Sequence, residues 1–134
     1  MKYLLDTNIL FTNITGKISK RSDLCITEDV AEECTSSPER VSKIKILGIE
    51  VLETKKKHLE KLKDVLAKHG DNMDLIRLYS GKGKADVMML AYILAEKEKQ
   101  ETLFQEEYIL VTRDKPLTTI AQEYGIKCIE NLPS

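Results

Sequence analysis

A chain of 134 residues, 42% hydrophobic and 32% charged, has the length and composition of one globular domain spanning 1–134, and it is too rich in apolar side chains to be a disordered tail. Its 21 basic and 22 acidic residues leave a net charge of -1, which excludes a protein that coats nucleic acid by bulk attraction but leaves room for a local basic rim. No apolar stretch reaches transmembrane length and the N-terminus enters a strand without a signal-peptide pattern, so a cytoplasmic protein with no membrane partner is expected.

Apolar runs of strand length alternate with helical periodicity, the pattern of a parallel sheet covered on both faces. Residues 2–6 read as the first strand. Leu24-Cys25-Ile26 is a short extended piece, with Thr27 as N-cap of a helix that carries Glu28 and Asp29 in its first turn. Ser37 and Pro38 open another helix and Gly48 closes it. Residues 49–52 form a strand. Thr54 then begins an amphipathic helix whose apolar line is Leu59, Leu62 and Leu66, ending at Gly70. A short helix over 71–79 is broken by Gly81-Lys82-Gly83-Lys84. The next helix, 84–99, is apolar on all sides through its middle, so it must be buried. A strand at 107–112, a helix at 116–124 stopped by Gly125, and a strand at 126–129 complete the chain. Cys25, Cys34 and Cys128 are an odd number without a CxxC pair and read as reduced thiols, while His58 and His69, on a Lys-rich helix, read as surface residues.

Four acids stand at the joints of this pattern. Asp6 ends the first strand and Asp114 follows the strand at 107–112. In parallel neighbours both emerge at the carboxyl edge of the sheet, where open α/β folds bind ligands. Each has a plainer reading: Asp6 in a turn, Asp114 as the cap of the last helix. Asp86 lies in line with Met89, Leu90 and Ile93 on the most apolar helix, where an ionised carboxylate is costly unless compensated. Glu33 competes with Glu28, Asp29 and Glu32, and helical phase favours it, since Val30, Glu33 and Cys34 share a face. Carboxylates that converge in one small acidic pocket repel one another unless a cation sits among them. An all-oxygen donor set, with no Cys/His cluster for zinc, suits Mg²⁺ or Mn²⁺ and hence phosphate chemistry.

In order and spacing the four segments resemble the PIN-domain ribonucleases, the family that includes VapC-type toxins. Asp6-Thr7-Asn8 resembles the strand-ending Asp-Thr-Asn, and Val30-Ala31-Glu32-Glu33 the helix that bears the second acid as its last residue. Asp86-Val87-Met88-Met89-Leu90-Ala91 is similar to the Asp-x-x-h-h-Ala helix, and Thr112-Arg113-Asp114 to the Thr-x-Asp strand end. Gly81-Lys82-Gly83-Lys84 departs from the acidic lead-in of many relatives, so a fifth acid is missing there. The resemblance implies a PIN-like, Rossmann-like α/β fold with a parallel sheet of four to five strands and helices on both faces. It also implies a Mg²⁺- or Mn²⁺-dependent endoribonuclease whose metal is held by Asp6, Glu33, Asp86 and Asp114, either a toxin or an RNA-processing nuclease. Asn8 and Thr112 would orient those ligands, and Lys82, Lys84, Arg113 and Lys115, flanking the acids, would meet RNA phosphates. Partners compatible with the resemblance are RNA, an antitoxin protein and a second copy of the chain.

Rival folds fit less well. The Gly-Lys stretch lacks the spacing and the Ser/Thr of a P-loop. A haloacid-dehalogenase phosphatase wants a second Asp where Asn8 stands, and a receiver domain wants adjacent acids after the first strand. A PIN-like module that binds RNA or protein without cutting is the alternative from another class.

Overall fold

The computed structural model describes residues 1–11, 23–68, 84–98 and 106–132. The expected helix at 71–79, the Gly81–Gly83 break and His69 lie outside them. Eleven elements follow in chain order: β1 (Lys2–Leu5), α1 (Thr7–Phe11), β2 (Leu24–Thr27), α2 (Glu28–Cys34), α3 (Pro38–Ile46), β3 (Glu50–Leu52), α4 (Lys56–Lys68), α5 (Lys84–Glu98), β4 (Tyr108–Val111), α6 (Lys115–Glu123) and β5 (Cys128–Ile129).

All five strands pair in parallel, in the order β3-β2-β1-β4-β5. The short extended piece at Leu24 is therefore a full strand, lying between β1 and β3. Its four residues are all buried, as a parallel strand covered on both faces requires. The apolar runs make the centre of the core, with Leu4, Leu5, Leu24, Ile26 and Leu110 at zero exposure.

Local chemistry sets the helix starts and stops. Thr27 accepts a hydrogen bond from Val30 N, Ser37 from Arg40 N and Asp114 from Leu117 N, and Pro38 and Pro116 occupy first-turn positions. Gly48 and Gly125 close α3 and α6 with φ of 67° and 73°, a left-handed conformation that a side chain disfavours. Along α5, residues from Ala85 through Ile93 are buried save Asp86, which is partly exposed. α5 packs against α4 on one side and approaches α2, α6 and β2.

Helix α4 corrects two expectations. Its inward line is His58, Leu62, Val65 and Leu66, and Leu59 is 52% exposed. His58, expected at the surface, is 1% exposed and stacks on Tyr92 with centroids 4.0 Å apart. Its Nδ1 accepts from Lys55 N at 2.8 Å, and its Nε2 lies 2.9 Å from Glu96 Oε1. With Nδ1 the acceptor, Nε2 carries the proton and donates to Glu96. His58 is the third residue of α4 and reaches back to the preceding backbone N–H, the place a Glu or Gln takes in a capping box.

The chain builds β1, β2 and β3 outward on one side of the sheet and then returns to lay β4 and β5 on the other. Strand order thus reverses between β1 and β4, and the crevice beyond their carboxyl ends is where such a sheet leaves room for a ligand.

Candidate active site

Asp6 and Asp114 both stand at that crevice. The pairing of Leu5 with Val111 sets β1 and β4 level at their carboxyl ends, and Asp6 N donates to the Val111 carbonyl at 3.0 Å. Asp6 is 2% exposed, which no carboxylate tolerates without partners. Thr112 Oγ1 donates to Asp6 Oδ2 at 2.8 Å and accepts from Asp114 N at 3.1 Å. Buried at 1% exposure, Thr112 ties the two acids together. Asp114 also caps α6, its Oδ1 accepting from Leu117 N at 3.0 Å. Capping and a place at the crevice coexist in one side chain.

Asp86 enters from the first turn of α5. Its carboxyl is pushed up to about 8, first by burial and then by the charge of Asp6, a hydrogen bond with Asp6, and the charges of Asp114 and Glu33. At neutral pH Asp86 therefore keeps its proton. Asp6, Asp114 and Glu33 all act by their charge on the partly buried Asp86 carboxyl. Among the described residues no three Asp, Glu, His or Cys side chains stand arranged to hold a metal ion.

Glu33 is exposed on α2, while Val30 and Cys34 beside it are fully buried. Its Oε2 accepts from Thr7 Oγ1 at 2.7 Å. Its charge acts on Asp86 and on the Cys34 thiol, which is raised mainly by burial, whereas Glu32 is exposed and acts on Asp29. Both Glu32 and Glu33 are exposed, and what distinguishes Glu33 is its bond with Thr7.

Asn8 is exposed in α1. Lys115 is exposed at the start of α6, beside Asp114. Arg113 is exposed but engaged with the chain itself: Nε donates to the Glu130 carbonyl at 3.3 Å and Nη2 to Asn131 Oδ1 at 2.6 Å. It straps the segment after β5 to the end of β4, a role the sequence pattern did not suggest. Lys82 lies outside the described residues, as does the side chain of Lys84. Thr7 carried no assignment in the sequence. Its only signal was its place next to Asp6, one residue from the strand end.

The five-stranded parallel sheet with its helices is an α/β fold consistent with a PIN domain. The family model for the PIN domain matches residues 3–131, and the chain belongs to the PIN-domain family. PIN domains are generally nucleases that act on RNA and usually use divalent metals. No curated protein matches the chain. Among the described residues no helix is long and apolar enough to cross a membrane.

Proposed function

We propose that this PIN domain is a divalent-metal-dependent endoribonuclease and that Asp6, Glu33, Asp86 and Asp114 are its catalytic acids. One observation carries the reading: a partly buried carboxyl, Asp86, raised to about 8 with three other acids in its field. Holding such charge together costs stability unless a cation offsets it, and functional sites are where that cost is retained. The donor set is all oxygen and suits Mg²⁺ or Mn²⁺. When bound, the ion supplies activation of water and neutralisation of charge on the phosphodiester.

The chain's own residues prepare the rest. Thr112 fixes Asp6 Oδ2 and anchors the backbone of Asp114, so two acids keep their places relative to each other. The proton held on Asp86 stabilises the metal-free site and must leave when that ligand ionises. Lys115, with Lys82 and Lys84, is the candidate contact for RNA phosphates, whereas Arg113 serves the fold.

The test is turnover of single-stranded RNA with Mg²⁺ or Mn²⁺, compared between the wild type and Asp6→Asn. Loss of cleavage by roughly 10² or more in the variant is expected. RNA binding without metal-dependent turnover by the wild type would establish the non-catalytic module instead. Two cellular roles suit such an enzyme: a toxin restrained by an antitoxin protein, and an RNA-processing nuclease. Growth arrest on induced expression, relieved by Asp6→Asn, marks the toxin. Normal growth with altered RNA maturation marks the processing enzyme.

A further inference from the structure

Two threonine hydroxyls at the carboxyl edge each hold a carboxylate borne by another element. Thr112, just past β4, donates to Asp6 at the end of β1. Thr7, just past Asp6 on the exit of β1, donates to Glu33 on α2, the helix that follows β2. Since the sheet runs β2-β1-β4 through its centre, the braces form a stepwise series: each strand exit holds the acid carried by the next strand over.

The Thr7 step differs from the other in what it has to restrain. Asp6 is enclosed, and its short side chain has few alternatives. Glu33 is exposed and longer, with one more rotatable bond, so packing alone does not fix its carboxylate. Thr7 is 9% exposed and β-branched, hence stiff at χ1, and it has a single proton to donate. That proton goes to Glu33 Oε2 at 2.7 Å, a distance typical of a charge-assisted O–H···O⁻ bond. Helix α1 packs on α2 and α3, so the Thr7 backbone is itself anchored. A stiff, nearly buried donor thus sets the position of a longer, exposed acid.

We propose that Thr7 is the positioning residue of the second acid, holding the Glu33 carboxylate on the side of Asp86 ready to join a divalent cation. This rests on the reading of Glu33 as one of four metal-binding acids, and the experiment separates the two. Mn²⁺ affinity of the RNA-free protein is measured by isothermal titration for the wild type, Thr7→Val, Thr7→Ser, Glu33→Gln and the double variant Thr7→Val/Glu33→Gln. Melting temperatures and the kcat and KM of RNA cleavage are followed in parallel. Thr7→Val should weaken Mn²⁺ binding about tenfold, as loss of an outer hydrogen bond to a ligand does, and should lower kcat with KM little changed. Thr7→Ser keeps the hydroxyl and should stay within about threefold of the wild type on the same basis. In the Glu33→Gln background, Thr7→Val should add nothing, because the brace has no carboxylate left to hold.

Wild-type Mn²⁺ affinity in Thr7→Val, alongside a loss in Glu33→Gln, overturns the proposal and leaves the acid reading intact. A further loss in the double variant also overturns it, since Thr7 would then act through the fold. Wild-type affinity in Glu33→Gln removes Glu33 from the metal site, and the proposal fails with that reading. Should Thr7→Val not fold, Thr7→Ala is judged by the same outcomes.

Discussion

Thr112 Oγ1 and Asp6 Oδ2 meet at 2.8 Å although 106 residues separate them in the chain. The same oxygen of Thr112 accepts from Asp114 N, so one hydroxyl completes two hydrogen bonds in a buried place. Thr112→Val keeps the shape and leaves both partners unmet. We expect it to cost about 2–3 kcal/mol in urea unfolding, the range for a buried hydrogen bond to a charged group. Thr112→Ser should lie near the wild type. If Thr112→Val unfolds at the wild-type urea concentration, the hydroxyl does not hold Asp6.

Asp86 makes stability depend on pH in a direction that can be worked out. Its folded pKa of about 8 lies above the ordinary 3.8, so between these values the folded state binds more protons than the unfolded one. Stability must therefore fall as pH rises through that window in the metal-free protein. Asn at this position cannot ionise. The stability of Asp86→Asn relative to the wild type should be small in difference near pH 4 and grow to a gain of about 2 kcal/mol at pH 8. That figure is discounted from the full shift because Asp86 is partly open to solvent, which screens its neighbours' charges. Thermal melts at stepped pH, with chelator present, measure it. A difference that does not change with pH would show that Asp86 carries no such burden.

His58 acts with the opposite sign. Burial lowers its pKa below 6.5, assisted by Lys57 and Lys55 and opposed by Glu96, while Tyr92 stacks on its face. The unfolded state then binds the extra proton, so the contribution of His58 is complete above pH 6.5 and is lost as pH falls through the folded value. Protonation would also remove the acceptor that Lys55 N uses at the start of α4. His58→Asn should cost roughly 3 kcal/mol at pH 7.5, from lost packing and unmet hydrogen bonds. That deficit should shrink toward pH 5. A deficit that grows on acidification would mean that His58 is charged in the native protein.

Glu33 and Glu32 are adjacent and alike in composition, so replacing each in turn isolates the effect of position. Glu33→Gln should reduce kcat/KM for RNA by roughly 10², about 2.7 kcal/mol of transition-state stabilisation, and Glu32→Gln should keep most of the activity. The reverse pattern would place the second acid on the wrong side of α2. Equal activity in both would leave Asp6, Asp86 and Asp114 as the acids of the site.

The amino-acid sequence by itself determined whatever depends on near neighbours. Thr27, Ser37 and Asp114 cap helices, and Gly48 and Gly125 end them, because each acts on backbone groups within a few residues. The apolar runs at Leu4, Ile109 and Ile26 are strands, since only a sheet covered on both faces makes such runs stable. His58 shows where such reading stops. By sequence the inward line runs through Leu59 with His58 at the surface, and only contact with Tyr92 and Glu96 on α5 turned His58 inward with Leu62, Val65 and Leu66. Thr112 is expected to orient the acids, but which acid its hydroxyl meets, and that Thr7 meets Glu33, was decided by strand order and register. A hydrogen bond spanning 106 residues leaves no local trace in the chain, because its donor and acceptor meet only after the sheet has assembled.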